Sequence, residues 1–505
     1  MARGNAPRAL NLAPLATVVA ARLAAIPGLK HGVRRALAGV LLGGLLAQPG
    51  SAQDARLPDT VARALQQAQV PHAAVAVLVQ EADGNRPALQ LNARQAFNPA
   101  SVMKLLTTFA GLEILGPAHT WKTEAYVAGP MAGGTLAGDL HLKGSGDPRL
   151  TQEQVWMLLR QLRGRGLREI QGDLVLDRSR FDTRGQDDFR FDGQGLRPYN
   201  VGPDALLTAF KSLRLTLTPD PAGGRVAVIS DPLPSNLTLE NRLTLGDGPC
   251  RDLRQMVRPQ FHPEGDGGRL VLAGYLATAC GEQNWQVAPM QAAPFTYGLV
   301  RQLWQELGGT LAGTWRDGPT PDGMTPLASV ESPPLAELIR DINKWSNNAM
   351  ARQLFLSLGA RNGQPAGAPE ADRAIREWLA RRGMNMPELV LENGAGLSRL
   401  ERISADSLAR LLAAAWRSPL MPEYLASLPL AGVDGTARKR LAASPVAGRA
   451  RIKTGTLDGV RALGGYVHDR TGKAWIVVFM ANHPNAPAAQ AAQDALLEWV
   501  FEGPR

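Results

Sequence analysis

The chain is poor in cysteine, in clustered histidine and in long apolar runs, and each shortage removes a class of explanation. Its 505 residues hold two cysteines and seven scattered histidines, with no His-Glu-x-x-His and no zinc-finger spacing, so neither a metal site nor a cofactor is expected. Aromatic residues make up 5% of the chain and no block of Lys or Arg interleaves with them, which removes nucleic acid as a partner. The apolar run from Ala36 to Ala47 falls short of the roughly 20 residues that a bilayer span requires. Acidic residues are missing from the first 52 positions, which hold six Lys or Arg.

That basic stretch, the short apolar run and Gly50-Ser51-Ala52 together read as a secretory signal over residues 1–52, cut after Ala52, with a soluble exported mature protein starting near Gln53. The basic part is long enough that translation could start after Met1. Of the net charge of +10, six positive charges lie in this segment, leaving +4, so the high pI is no sign of a polyanionic partner. In an exported chain, Cys250 and Cys280 are expected to pair; two free buried thiols are the alternative.

What the sequence does carry is three short motifs, each occurring once: Ser101-Val102-Met103-Lys104, Ser346-Asn347-Asn348 and Lys453-Thr454-Gly455. Asn98 is a favoured N-cap, Pro99 suits the first helical position, and Val102, Leu105, Leu106, Phe109 and Leu112 recur at helical spacing up to Gly116-Pro117. A helix is therefore expected over 99–115, with the Ser101 hydroxyl one turn from the Lys104 amine, a weak nucleophile beside a base. Ser346 and Asn348 fall on a turn between helical runs Leu335–Lys344 and Ala349–Gly359; the bland reading is that Asn347 or Asn348 caps the second helix. Lys453, Thr454, Gly455 and Thr456 fall on a strand-like run where Gly455 would let another backbone approach. Taken singly, each motif is far more common in ordinary helices, caps and turns than in sites.

The three together, in this order, are the signature shared by penicillin-binding proteins and class A β-lactamases. The chain resembles the class C low-molecular-mass penicillin-binding proteins, periplasmic D-alanyl-D-alanine carboxypeptidases and endopeptidases. Gly144-Ser145-Gly146-Asp147-Pro148, the run from Tyr199 to Leu206 and the run from Asn393 to Arg399 carry that resemblance further, as does the wide gap between the first two motifs. Asn347 departs from the Asp common there.

The resemblance implies that Ser101 is acylated, Lys104 takes its proton and Ser346 relays a proton to the leaving amine. Asn348 would hold a substrate peptide bond, Lys453 and Thr454 the terminal carboxylate, and the N–H groups of Ser101 and Thr456 the oxyanion. It also implies peptidoglycan stem peptides as substrates, β-lactam antibiotics as inhibitors, and Asp147 as a receiver of a stem ammonium; an ordinary turn is the other reading of Asp147. The competing functions are a β-lactamase, whose class A deacylating Glu has no motif here, and an idle peptidoglycan-binding scaffold, which would have no use for Ser101, Lys104 and Lys453 together. The sequence is compatible with a homo-oligomer.

Mature length exceeds what one core usually serves. Because the motif residues must meet, the expected architecture is α/β: a discontinuous transpeptidase/β-lactamase-like domain (53–119 and 326–505, an antiparallel sheet flanked by helices) interrupted by a mostly β insertion over 120–325. Strands are expected at Ala73–Val79, around Leu89-Gln90-Leu91, and at Ala462–His468 and Ala474–Met480 with a hairpin turn at Asp469–Gly472. Helices are expected near Val61–Gln69 and from Asn485 to Phe501.

Overall fold

A computed structural model describes residues 56–360 and 364–504; the expected signal over 1–52 lies outside them. From the N-terminus come α1 (Asp59–Gln67), β1 (Val75–Glu81), β2 (Pro87–Leu91) and α2 (Lys104–Leu115). After a long excursion follow α3 (Leu335–Lys344), α4 (Asn348–Gly359), α5 (Ala368–Arg381), α6 (Ala405–Trp416), β3 (Ala450–Leu457), β4 (Val460–His468), β5 (Ala474–Asn482) and α7 (Gln490–Glu502).

Strands from both chain ends join in one antiparallel sheet of order β2-β1-β5-β4-β3. In β1 the period of two sorts the side chains: Val75, Val77 and Val79 enter the core shared with α1 and α7, while Ala76 and Leu78 enter the core shared with α2, α3, α4 and α6. Both faces are covered, which is why β1 and β5 read as near-continuous apolar runs. The expected hairpin forms where Asp469 Oδ1 accepts from the N–H groups of Thr471 and Lys473, and Gly472 takes φ 87°.

The excursion leaves and returns side by side, Lys122–Ala128 pairing antiparallel with Ala328–Glu331. Residues from Ala125 to Ala328 pack around an apolar cluster of their own. Most of their elements are short strands, among them two three-stranded sheets. Two helices, Gln152–Gly164 and Ala292–Glu306, were not expected from the alternating pattern. The first had a legible signal: Thr151 and Gln154 form a capping box.

Cys250 and Cys280 are joined across a separation of 30 residues, tying the approach to strand Val257–Glu264 to the end of strand Gly267–Ala277. Closing a loop of this size is worth about 3–4 kcal/mol. A Cys250→Ser/Cys280→Ser variant should lose about that much in denaturant titration while its circular dichroism in native buffer stays unchanged. Two alkylatable thiols in wild-type protein purified without reductant would contradict the bond.

Candidate active site

The expected helix over 99–115 is split: residues Ala100–Met103 form a 3-10 turn and the α-helix starts at Lys104. The N-cap position of that turn is Pro99 rather than Asn98, which instead braces the approach, its Oδ1 accepting the Ala100 N–H at 2.8 Å while its Nδ2 donates to Ser398 O. The deviation has a tertiary cause. A Cβ on Gly455 would lie 2.6 Å from Pro99 O and 3.0 Å from Ser101 N, and one on Gly396 would lie 1.9 Å from Ala100 O. Two backbones thus press on the turn, and Ala100 is held at φ 45°, a conformation costing on the order of 1–3 kcal/mol. A 3-10 turn has three residues per revolution, so it aligns Ser101 with Lys104 more directly than an α-helix would.

Lys104 is fully buried, and its Nζ lies 3.0 Å from Ser101 Oγ, 2.7 Å from Asn348 Oδ1, and in contact with Ala395 O. Two of these partners are carbonyl oxygens that can only accept. A neutral amine satisfies them with its two N–H bonds, and its lone pair is left facing the Ser101 hydroxyl. Burial pushes the Lys104 pKa well below its ordinary value; the charge of Lys453 lowers it further, Glu401 opposes and Arg352 adds a smaller depression.

Ser346 sits on the turn between α3 and α4 at φ 57°. Its Oγ accepts from Lys453 Nζ at 2.9 Å, and the same ammonium donates to Thr454 O at 2.7 Å. Burial brings the Lys453 pKa down to about 7. The bland reading of Ser346-Asn347-Asn348 holds for Asn347, which caps α4 by accepting Met350 N–H, while Asn348 turns to Lys104. Thr454 Oγ1 lies 3.2 Å from Thr436 Oγ1, and the exposed Thr456 hydroxyl accepts from Arg461 at 3.1 Å.

Two runs from the excursion dock on α4 beside these groups. Asn348 Nδ2 donates to Tyr199 O at 3.0 Å, which fixes its amide so that Oδ1 faces Lys104. Buried Arg352 donates to the carbonyls of Asn200 and Val201, and Gln353 spans Asp204 and Asp147 main-chain groups. Asp147 itself is not brought into the cluster. It is 4% exposed, its Oδ1 accepts Arg149 N–H at 2.7 Å, and burial pushes its carboxyl up to about 6. The turn reading of Gly144–Pro148 is the one its hydrogen bonds fit.

Sequence reasoning missed Glu401. It is completely buried, and its Oε1 accepts the N–H groups of Glu392, Asn393 and Gly394 at 3.1, 2.9 and 2.9 Å. These bonds hold the loop that presents Ala395 O to Lys104 and Gly394 O to the Thr107 hydroxyl. An isolated Glu in Arg399-Leu400-Glu401-Arg402 gives no hint of burial, and the neighbouring run from Asn393 to Arg399 stood out only through the resemblance. Beside it lies a cavity of about 430 Å³, walled by Arg352, Asn393, Leu397 and Arg399 and edged by Arg184 and Asp187.

Comparison with known proteins converges on one group. Residues 57–502 match the D-Ala-D-Ala carboxypeptidase 3 (S13) family. The chain is 30% identical over 416 residues to the D-alanyl-D-alanine carboxypeptidase of Actinomadura sp. (strain R39), covering 79% of this chain and 76% of that protein. It is 25% identical over 380 residues to the D-alanyl-D-alanine carboxypeptidase DacB of Haemophilus influenzae, covering 74% and 78%. The crystal structure of penicillin binding protein 4 (dacB) from Haemophilus influenzae superposes with a TM-score of 0.72 at 23% identity, over 87% of this chain and 99% of that one. That likeness establishes the fold.

Proposed function

Since the chain belongs to the D-Ala-D-Ala carboxypeptidase 3 (S13) family of serine peptidases, we propose that it works in the periplasm through a Ser101 acyl-enzyme, removing the terminal D-alanine of peptidoglycan stem peptides and opening D-Ala-linked cross-links. The observation that carries this reading is the Ser101–Lys104–Asn348 contact set, in which a buried amine lies 3.0 Å from a serine hydroxyl.

Lys104 takes the Ser101 proton as Oγ bonds to the carbonyl carbon of the penultimate D-alanine. The carbonyl electron pair moves to oxygen, facing the N–H groups of Ser101 and Thr456, where loss of one donor typically costs about 10²- to 10³-fold. Collapse breaks the C–N bond, and the departing amine receives a proton by way of Ser346, which is bonded to Lys453. Water then hydrolyses the ester and restores the serine. Lys453 and Thr454 take the terminal carboxylate of a carboxypeptidase substrate, and Asn348 the peptide bond on the acyl side. The cavity beside the Glu401 loop, with guanidinium groups and the Asp187 carboxylate on its walls, suits a charged stem side chain. A β-lactam presents a carbonyl and a carboxylate in the same relation, so it acylates Ser101 and blocks the site.

Incubation of the mature protein with muropeptide pentapeptide monomers and with cross-linked dimers, followed by mass analysis, tests the assignment. Loss of one D-alanine from monomers and splitting of dimers are expected. Intact products in both would refute it.

A further inference from the structure

The excursion carries a groove that the acyl-transfer chemistry does not use. Two depressions of about 300 and 620 Å³ share Arg197, Arg254 and Trp285 as walls, so they run into each other. Arg258 and Phe189 complete the first, Arg214 and Tyr199 the second. Four guanidinium groups thus converge on a concave surface with aromatic faces, Phe189 being 52% and Tyr199 41% exposed.

The arginines are poorly matched from within. Among the described residues the one ion pair any of them makes is Arg254 Nε to Asp252 Oδ1, at 3.9 Å. Asp192 is engaged by the Tyr199 hydroxyl at 2.6 Å and by Asn200 Nδ2, and Glu153 lies within electrostatic reach of Arg214. Asp231 stands opposite Arg214 on the paired strand, so four acids lie near the four arginines, and none of them forms an ion pair shorter than 3.9 Å to them. The groove also reaches the reaction site. Tyr199 is part of its wall, and the carbonyl of the same residue holds the Asn348 amide.

We propose that this groove binds the peptidoglycan polymer beyond the scissile peptide, with carboxylates of a neighbouring strand on the arginines and sugar rings on the aromatic faces. Planar guanidinium groups pair two-pronged with carboxylates, and flat amphipathic rings bury the apolar faces of sugars. Each exposed contact is weak by itself. Several on one tethered substrate add up, because the second contact forms at the high effective concentration set by the first. The inference rests on the reading of the chain as a peptidoglycan peptidase, and adds where the rest of the substrate lies.

The test compares wild type with Arg254→Glu/Arg258→Glu on two substrates, a soluble tripeptide ending in D-Ala-D-Ala and purified peptidoglycan sacculi. Both side chains are exposed, and equal melting curves establish that the variant is folded. Tripeptide hydrolysis should stay within about twofold, whereas kcat/KM on sacculi should fall about tenfold. The wild-type advantage on sacculi should shrink as salt rises from about 0.05 to 0.5 M, since exposed charges are then screened. A milder Arg214→Gln change should move sacculus cleavage in the same direction by a smaller factor. Equal losses on both substrates, or none on sacculi, would overturn the groove, as would an effect confined to self-association of the protein.

Should wild type cleave neither substrate, the peptidase reading fails and the groove is still decided by sedimentation. Ser101→Ala protein should then pellet with sacculi and be released by the two arginine reversals. Failure to pellet, or pelleting that ignores the reversals, counts against it.

Discussion

Replacing Ser101 by alanine will abolish covalent labelling by fluorescent penicillin and lower D-alanine release by on the order of 10⁴-fold or more, because no other hydroxyl in the site has a deprotonating amine aligned with it. Ser346 is the one alternative nucleophile in contact with a lysine. Its partner Lys453, however, also donates to Thr454 O at 2.7 Å, and its pKa of about 7 leaves it partly charged at neutral pH. Ser346→Ala should therefore slow labelling without removing it. Stability should change little in Ser101→Ala, since a half-buried hydroxyl with one bond contributes about 1 kcal/mol. A labelled peptide containing Ser346, or label persisting on a folded Ser101→Ala protein, would overturn the assignment.

Much of the placement of these residues is legible in the sequence, for a physical reason. Short-range geometry placed Ser101 against Lys104 and Ser346 at a helix–helix turn, and alternation placed Gly455 on a strand. Local rules are enough for these, since each concerns residues within one turn or one pleat. What escaped was decided by distant parts of the chain. The 3-10 start at Ala100 comes from backbones at Gly396 and Gly455, some 300 residues on. Glu401 matters because three loop N–H groups converge on it, a relation no spacing encodes. Asp147 was drawn toward the site by likeness to relatives, yet its own hydrogen bond closes a turn. The docking of Tyr199–Asp204 on Arg352 and Gln353 likewise explains that run's presence by contacts with a helix about 150 residues away.

The second large effect concerns Lys104 as the base. Lys104→Met should cut acylation by about 10²- to 10⁴-fold, the range typical of losing a positioned proton acceptor. In the wild type, only the uncharged amine can receive the Ser101 proton, so acylation by a β-lactam should rise with pH through the Lys104 pKa and level off above it. Burial depresses that pKa first, because it disfavours the ammonium, and the Lys453 charge depresses it next. Lys453 is itself brought down by burial to about 7, so the two amines titrate as a coupled pair and the acid limb belongs to the pair. Two substitutions separate the contributions, because they carry opposite signs. Lys453→Met removes a like charge, stabilises the Lys104 ammonium and should move the acid limb to higher pH. Glu401→Gln removes a negative charge while keeping an oxygen for the loop N–H groups, and should move the limb to lower pH. Lys453→Met will also lower the plateau, since the proposed carboxylate contact is lost, so only the limb midpoint is diagnostic. Second-order acylation rates measured from about pH 5 to 10 read that midpoint directly. Identical midpoints in wild type and Lys453→Met would assign the depression to burial and the smaller effect of Arg352. A midpoint that stays put in Glu401→Gln would mean that burial keeps Glu401 protonated, so that it holds the loop through hydrogen bonds alone and exerts no field on the base.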